Sequence, residues 1–275
     1  FLYIKTPYNP AFPSPPGSIV QVRETAMRMQ QLAKRSGIPV VLVGHITKEG
    51  TVAGPRTLEH LVDVVLYLEG DGEHDLRVLR AVKNRFGDVS ETGLFTMTET
   101  GLQEVTNPAS FLLQERVEAP GSVLSVVLEG SRPVLIEVQA LTVPSVFGYP
   151  RRTASGVDLN RLNLLLAVLQ RRAGIDLSNH DVFVNIVGGL KVKDPAVDAA
   201  ICVALASARN EIALPKETVL LGEIGLAGEV RKVARQERRE KEVKQLGYTL
   251  ITGQRTLQQL LQQTFANRKR SKPTE

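Results

Sequence analysis

Two cations one residue apart, Lys83 and Arg85, stand at the end of an apolar, strand-like run from Leu76 to Val82. Side chains alternate along a strand, so residues i and i+2 emerge on the same side. Gly87 then allows the chain to turn. The spacing therefore predicts a pair of positive charges presented together at a strand end. Such a pair suits a phosphate, above all one held by a neighbouring subunit. Arginine grips phosphate oxygens in a fork, and lysine acts as a point charge. The alternative is a basic strand end that meets only water, because exposed Lys and Arg are common.

Other residues with chemical potential lie on both sides of this pair. His45 follows the apolar run Ile38–Val43, and ligands of open α/β sheets gather beyond such strand ends; the alternative for His45 is a structural hydrogen bond. Residues 46–57 read as a polar, glycine-containing loop carrying Lys48 and Arg56. Further on, Arg151 and Arg152 follow Gly148-Tyr149-Pro150, and Lys191 and Lys193 flank a strand end. These four are candidates for a basic surface, with scattered solvated charge as the alternative.

Elements that would position these residues are legible from periodicity. Ser18 starts a helix, with Gln21 three residues on. Ile19, Val22, Ala26, Met29 and Ala33 then recur at helical steps, and Gly37 and Pro39 end it. Ile38–Val43 reads as a buried strand of a parallel sheet. Leu61–Leu68, Leu76–Val82 and Gly93–Thr98 read as further strands. From about Glu115 the pattern changes. Val123–Leu128 and Val134–Leu141 read as paired strands around Gly130-Ser131. Leu162, Leu165, Leu166 and Leu169 mark one helix face. Asp181–Val187 is strand-like, Pro195–Ala208 helical, and Val219–Val230 strand-like and glycine-rich. Residues 236–246 and 255–264 read as charged helices, and the mixed-sign run Arg235–Lys244 as a solvated face.

Composition sets limits. The chain has 275 residues, enough for two domains with cores. Its formal net charge of +5 permits nucleic-acid contact without demanding it. One cysteine, Cys202, excludes an internal disulfide and any multi-cysteine zinc site within the chain. No apolar run is long enough to span a membrane. The absence of Trp and the few aromatics argue against a stacking platform for single strands. No Gly-x-x-x-x-Gly-Lys-Ser/Thr run occurs, nor any Gly-Lys pair, so no phosphate-cradling loop can form in cis. Phe1–Lys5 contains no acid, and Val62–Leu66 contains one, Asp63.

The segment Lys83–Phe95, with Pro16–Glu24, Val43–Gly50, Ala53–Arg56, Leu58–His60, Asn107-Pro108, Asn160–Leu162, Gly188–Val192 and Gly222–Arg231, resembles the RadA/Sms family of bacterial DNA repair proteins. The likeness runs from about Tyr8 to Phe265. It implies an α/β fold: residues 1–113 as the carboxyl-terminal part of a RecA-like ATPase core, then residues 114–266 as an α+β domain like that of the Lon protease, with 267–275 a basic, disordered tail. It implies a DNA repair and recombination function: a cytoplasmic, ATP-driven motor promoting branch migration, working as a hexameric ring on single-stranded and branched DNA beside the RecA recombinase. ATP and Mg2+ are the implied cofactors, with zinc in an amino-terminal finger that this chain lacks. For the magnesium-holding strand end of the implied ATPase core, Phe1–Lys5 lacks the acid and Val62–Leu66 has it, as Asp63, at the wrong place. The chain is accordingly expected to begin mid-domain and to hold none of these in cis.

The same likeness assigns roles. His45 becomes a sensor of nucleotide state. Lys48 and Arg56 lie in a loop that reaches DNA by phosphate contacts. Lys83 and Arg85 resemble the basic pair that DnaB-type ring helicases offer to the neighbouring subunit's γ-phosphate. A Lon-type peptidase is the rival reading. It needs a serine nucleophile and a lysine base. The serine position falls on Val197, or Asp198 if the frame slips by one, and the lysine position on Glu237, so the dyad is lost. What remains for that domain is ring assembly or DNA binding through Arg151, Arg152, Lys191 and Lys193. A non-catalytic scaffold for assembly and DNA binding is the contrasting class.

Overall fold

The computed structural model describes residues 10–11, 13–15, 18–44, 58–70, 76–106, 108–113, 115–146 and 148–266. His45, Lys48, Arg56 and the basic tail lie outside them. The chain divides into two compact units, residues 1–67 with 80–91 and residues 68–79 with 92–275.

In the first unit, helix α1 spans Ile19–Ser36. Ser18 caps it by accepting the Gln21 N–H at 3.4 Å. It stops at Gly37, whose φ of 68° is the left-handed conformation that glycine tolerates and whose N–H returns to the Ala33 carbonyl. The next segment, Ile38–Val43, departs from expectation. No strand forms there, and its apolar side chains are exposed. An apolar run becomes a strand only when neighbouring strands take its N–H and C=O groups, and among the described residues none does so. Strand β1 is Val64–Glu69, starting three residues later than the pattern suggested because residues 58–61 form a helical turn. Strand β2 is Leu76–Asn84. Both strands contribute residues to both units.

The second unit carries β3 (Thr92–Thr98) and β4 (Gly101–Glu104), paired antiparallel, and the short helix α2 (Pro108–Leu113). Strands β5 (Ser122–Glu129), β6 (Arg132–Pro144), β7 (Arg152–Ser155), β8 (His180–Ile186), β9 (Thr218–Leu220) and β12 (Thr249–Ile251) build a six-stranded mixed sheet in the order β12-β9-β5-β6-β8-β7. The β5–β6 hairpin closes at Gly130-Ser131 as read from the sequence. Its register places Val123 and Val127 with Val134, Ile136 and Val138 in one core cluster, and Leu124, Val126 and Leu135 in another. Both sheet faces are therefore covered at β5, which is why five of its eight residues are apolar.

Helix α3 (Leu159–Val168) continues as a π turn, Leu169–Ala173, and buries Leu162, Leu165 and Leu169. A 3-10 turn, Pro195–Val197, leads into α4 (Asp198–Arg209), the central helix against β5 and β6. Strands β10 (Glu223–Ile224) and β11 (Val230–Arg231) form a small hairpin, followed by α5 (Gln236–Gln245) and α6 (Leu257–Ala266). Among the described residues, no helix is long and apolar enough to cross a membrane.

Candidate functional site

The basic pair sits where β2 enters a turn that its own side chains brace. Asn84 Oδ1 accepts the Phe86 N–H at 3.1 Å, and Asp88 Oδ1 accepts the Ser90 N–H at 2.9 Å. A Cβ at Gly87 would lie 3.0 Å from the Asn84 amide nitrogen, a tight contact that the amide relieves by giving a few tenths of an ångström. Neither cation meets only water. Lys83 Nζ donates to the Glu59 carbonyl at 2.7 Å. Arg85 is tied twice to Asp63: its N–H to the Asp63 carbonyl at 3.1 Å, and its guanidinium to Asp63 Oδ1 at 3.1 Å. Asp63 is thus the counter-ion of Arg85. The two side chains of this ion pair remain 54% and 37% exposed. A solvent-exposed pair is worth about 0–1 kcal/mol, weak enough for a competing anion to take the guanidinium. Phe86, next in line, is 81% exposed.

The second-unit cations lie around the edge strand β7. Arg151 is exposed; its N–H donates to Asp181 Oδ1 at 2.8 Å, a bond that holds the Asp181 carboxyl below the usual range. Arg152 is turned inward. Its guanidinium donates to the carbonyls of Leu177 at 2.9 Å, Arg151 at 3.0 Å and His180. Those bonds fix the loop and leave Arg151 as the outward-facing member. Lys191 and Lys193 are exposed on either side of buried Val192, whose N–H reaches the Gly156 carbonyl at 2.7 Å. Arg151 and the two lysines therefore stand at opposite ends of β7, about 16 Å apart at roughly 3.3 Å per residue.

The two positions assigned to a peptidase dyad carry neither a serine hydroxyl nor a lysine amine. Val197 is buried in the 3-10 turn, and Glu237 is exposed in the first turn of α5. Close to Val197 in the chain are two guanidinium–carboxylate contacts that the sequence reading missed. Arg239, fully buried, donates to Asp194 Oδ2 at 2.6 Å, the Val126 carbonyl at 2.7 Å and the Ala234 carbonyl at 3.1 Å. Asp194 also accepts the N–H groups of Leu128 at 3.2 Å and Ala196 at 3.1 Å. Arg161 grips Asp198 with two nitrogens, one of them at 3.0 Å, and Asp198 also accepts the Ile224 N–H at 3.1 Å. Burial pushes the Asp198 carboxyl above the usual carboxylate range although Arg161 pulls the other way, and the bond to Asp198 raises Arg161. Cys202 is fully buried, and burial pushes its thiol up, so it stays protonated and unreactive at neutral pH. Among the described residues, no group of three His, Cys, Asp or Glu is placed to hold a metal ion.

No family model matches the chain. Individual relatives do. It is 49% identical over 246 residues to the DNA repair protein RadA of Bacillus subtilis, covering 89% of this chain and 54% of that protein. The DNA repair protein RadA of Halalkalibacterium halodurans is 49% identical over 250 residues, 90% of this chain and 54% of the relative. That of Streptococcus pneumoniae is 48% identical over 249 residues, 90% of this chain and 59% of the relative. The chain thus spans little more than half the length of these relatives.

Proposed function

The chain belongs to the RadA/Sms family, and on that premise we propose that it acts in DNA repair and recombination as part of an ATP-driven motor that moves branched DNA. In this reading Lys83 and Arg85 serve the neighbouring subunit. That subunit binds ATP with Mg2+, and the pair reaches its γ-phosphate, where Arg85 exchanges Asp63 for phosphate oxygens. Positive charge placed there stabilises the charge that spreads over the transferring phosphoryl group. His45 reports the nucleotide state to the loop after it, and Lys48 and Arg56 in that loop contact DNA phosphates. Arg151, Lys191 and Lys193 add a second phosphate-binding edge, which Arg152 positions. The assembly is a ring of identical subunits, six by family likeness, working beside the RecA recombinase in the cytoplasm.

The observation that carries this reading is Arg85: a half-exposed guanidinium on a braced turn, held among the described residues by the exchangeable Asp63 carboxylate, while its backbone N–H bonds the Asp63 carbonyl. The test is a hybrid of the B. subtilis relative in which this chain replaces the matched residues. Lys83→Ala with Arg85→Ala is expected to cut its ATP turnover about 10³- to 10⁵-fold, the range for arginine fingers. Unchanged turnover would refute the role and favour a scaffold.

A further inference from the structure

Tyr149 and Val146 protrude from the connection between β6 and β7, 89% and 85% exposed. Both ends of that connection are pinned. Ser145 N–H donates to the Asn179 carbonyl at 2.9 Å, Arg151 N–H to Asp181 at 2.8 Å, and the Arg151 carbonyl accepts Val182 N–H at 2.9 Å. Arg152 ties the same corner to the Leu177 and His180 carbonyls. The ring is thus held out on a fixed base, two residues from the exposed Arg151. No carboxylate occurs between Ser145 and Arg152. The nearby Asp181 is engaged by the Arg151 N–H.

We propose that Tyr149 stacks on an unpaired base where duplex DNA opens into single strand, with Arg151 on an adjoining phosphate. This rests on the reading of the β7 edge as a DNA contact. A ring stacks on any base whose face is free. Inside a duplex every face is covered, so Tyr149 adds affinity only at a fork or an end. Arg151, Lys191 and Lys193 act on phosphates and serve duplex and fork alike. The signature of Tyr149 is therefore the ratio of fork to duplex affinity. Its charge setting favours nucleic acid over a protein partner: cations stand at both ends of β7.

The experiment uses this chain with a forked DNA carrying 2-aminopurine at the first unpaired position, and a covalently closed circular duplex containing the same sequence, which has no end. Tyr149→Ala is expected to weaken fork binding about 5- to 100-fold, to abolish 2-aminopurine quenching, and to leave duplex affinity unchanged. Tyr149→Phe should keep all three properties, since the ring does the stacking. Arg151→Ala should weaken both DNAs alike. The proposal is overturned if Tyr149→Ala leaves the fork-to-duplex ratio unchanged. In that case, salt-dependent binding abolished by removing Arg151, Lys191 and Lys193 together still upholds the basic edge. If the unaltered chain binds neither DNA at low salt, both readings fall. If Tyr149→Ala alters only the mass of the chain in solution, the tip is a protein contact and the proposal fails.

Discussion

Arg85–Asp63 and Arg239–Asp194 are the same chemical contact in opposite surroundings. The first is open to solvent on a turn; the second is shut inside the second unit, with Arg239 1% exposed and its guanidinium bonded to two carbonyls besides the carboxylate. In water the pair is weak and can be exchanged, which is what a residue that must meet a phosphate requires. Inside the protein, each partner is costly to leave alone, which is what a clamp between α5, β5 and the turn before α4 requires. Environment, not residue type, separates the candidate functional arginine from the structural one.

The sharpest way to break that comparison is Arg239→Ala. Leaving Asp194 without its counter-ion, though with the Leu128 and Ala196 N–H groups, and removing a donor from the Val126 and Ala234 carbonyls should cost about 3–5 kcal/mol, read as a large shift in the denaturation midpoint. A loss under about 1 kcal/mol would remove the distinction. Arg161→Ala should be next, at about 2–3 kcal/mol, because Asp198 keeps the Ile224 N–H. Here pH sharpens the test. Burial already raises the Asp198 carboxyl, and without Arg161 little opposes it. A raised acid contributes stability that is complete below its unfolded pKa, about 3.9, and is lost as pH rises through the folded value. The deficit of Arg161→Ala should therefore be smaller near pH 4 than at pH 7.5; a pH-independent deficit would argue that Asp198 remains ionised.

Asp63→Ala and Arg85→Ala should each change stability by less than about 1 kcal/mol, measured by the same denaturation. A larger loss would make this pair structural too. Cys202 should give the smallest effect, with no modification by a thiol reagent in the native state at pH 7.5. Because burial raises its pKa, its contribution to stability is complete below about pH 8.5 and declines as pH rises. Rapid native labelling would contradict its burial.

The second unit was legible in the sequence because its elements carry their own signals. Gly130-Ser131 announced the β5–β6 hairpin, and the leucines at 162, 165 and 169 announced the buried face of α3. Ile38–Val43 misled because an apolar run gives composition but not the strands that must flank it. Arg239 was invisible for a related reason. Within Arg235–Lys244 it is one cation among many, and only Val243, four residues on, hints at a buried face. Spacing alone marked the basic pair as a candidate, but its tethers, Glu59 and Asp63, lie more than twenty residues away in the chain. Tyr149 shows the limit of composition, since scarce aromatics say nothing about how far one of them projects.

The central claim is that Lys83 and Arg85 work on a nucleotide bound by another subunit. It is tested most directly by mixing two inactive forms of the hybrid protein. One carries Lys83→Ala with Arg85→Ala; the other has its own phosphate-binding loop disabled. Action in trans predicts that the mixture hydrolyses ATP well above the sum of its parts, because an intact pair can face an intact pocket across a subunit boundary. A mixture no more active than its components would contradict the claim.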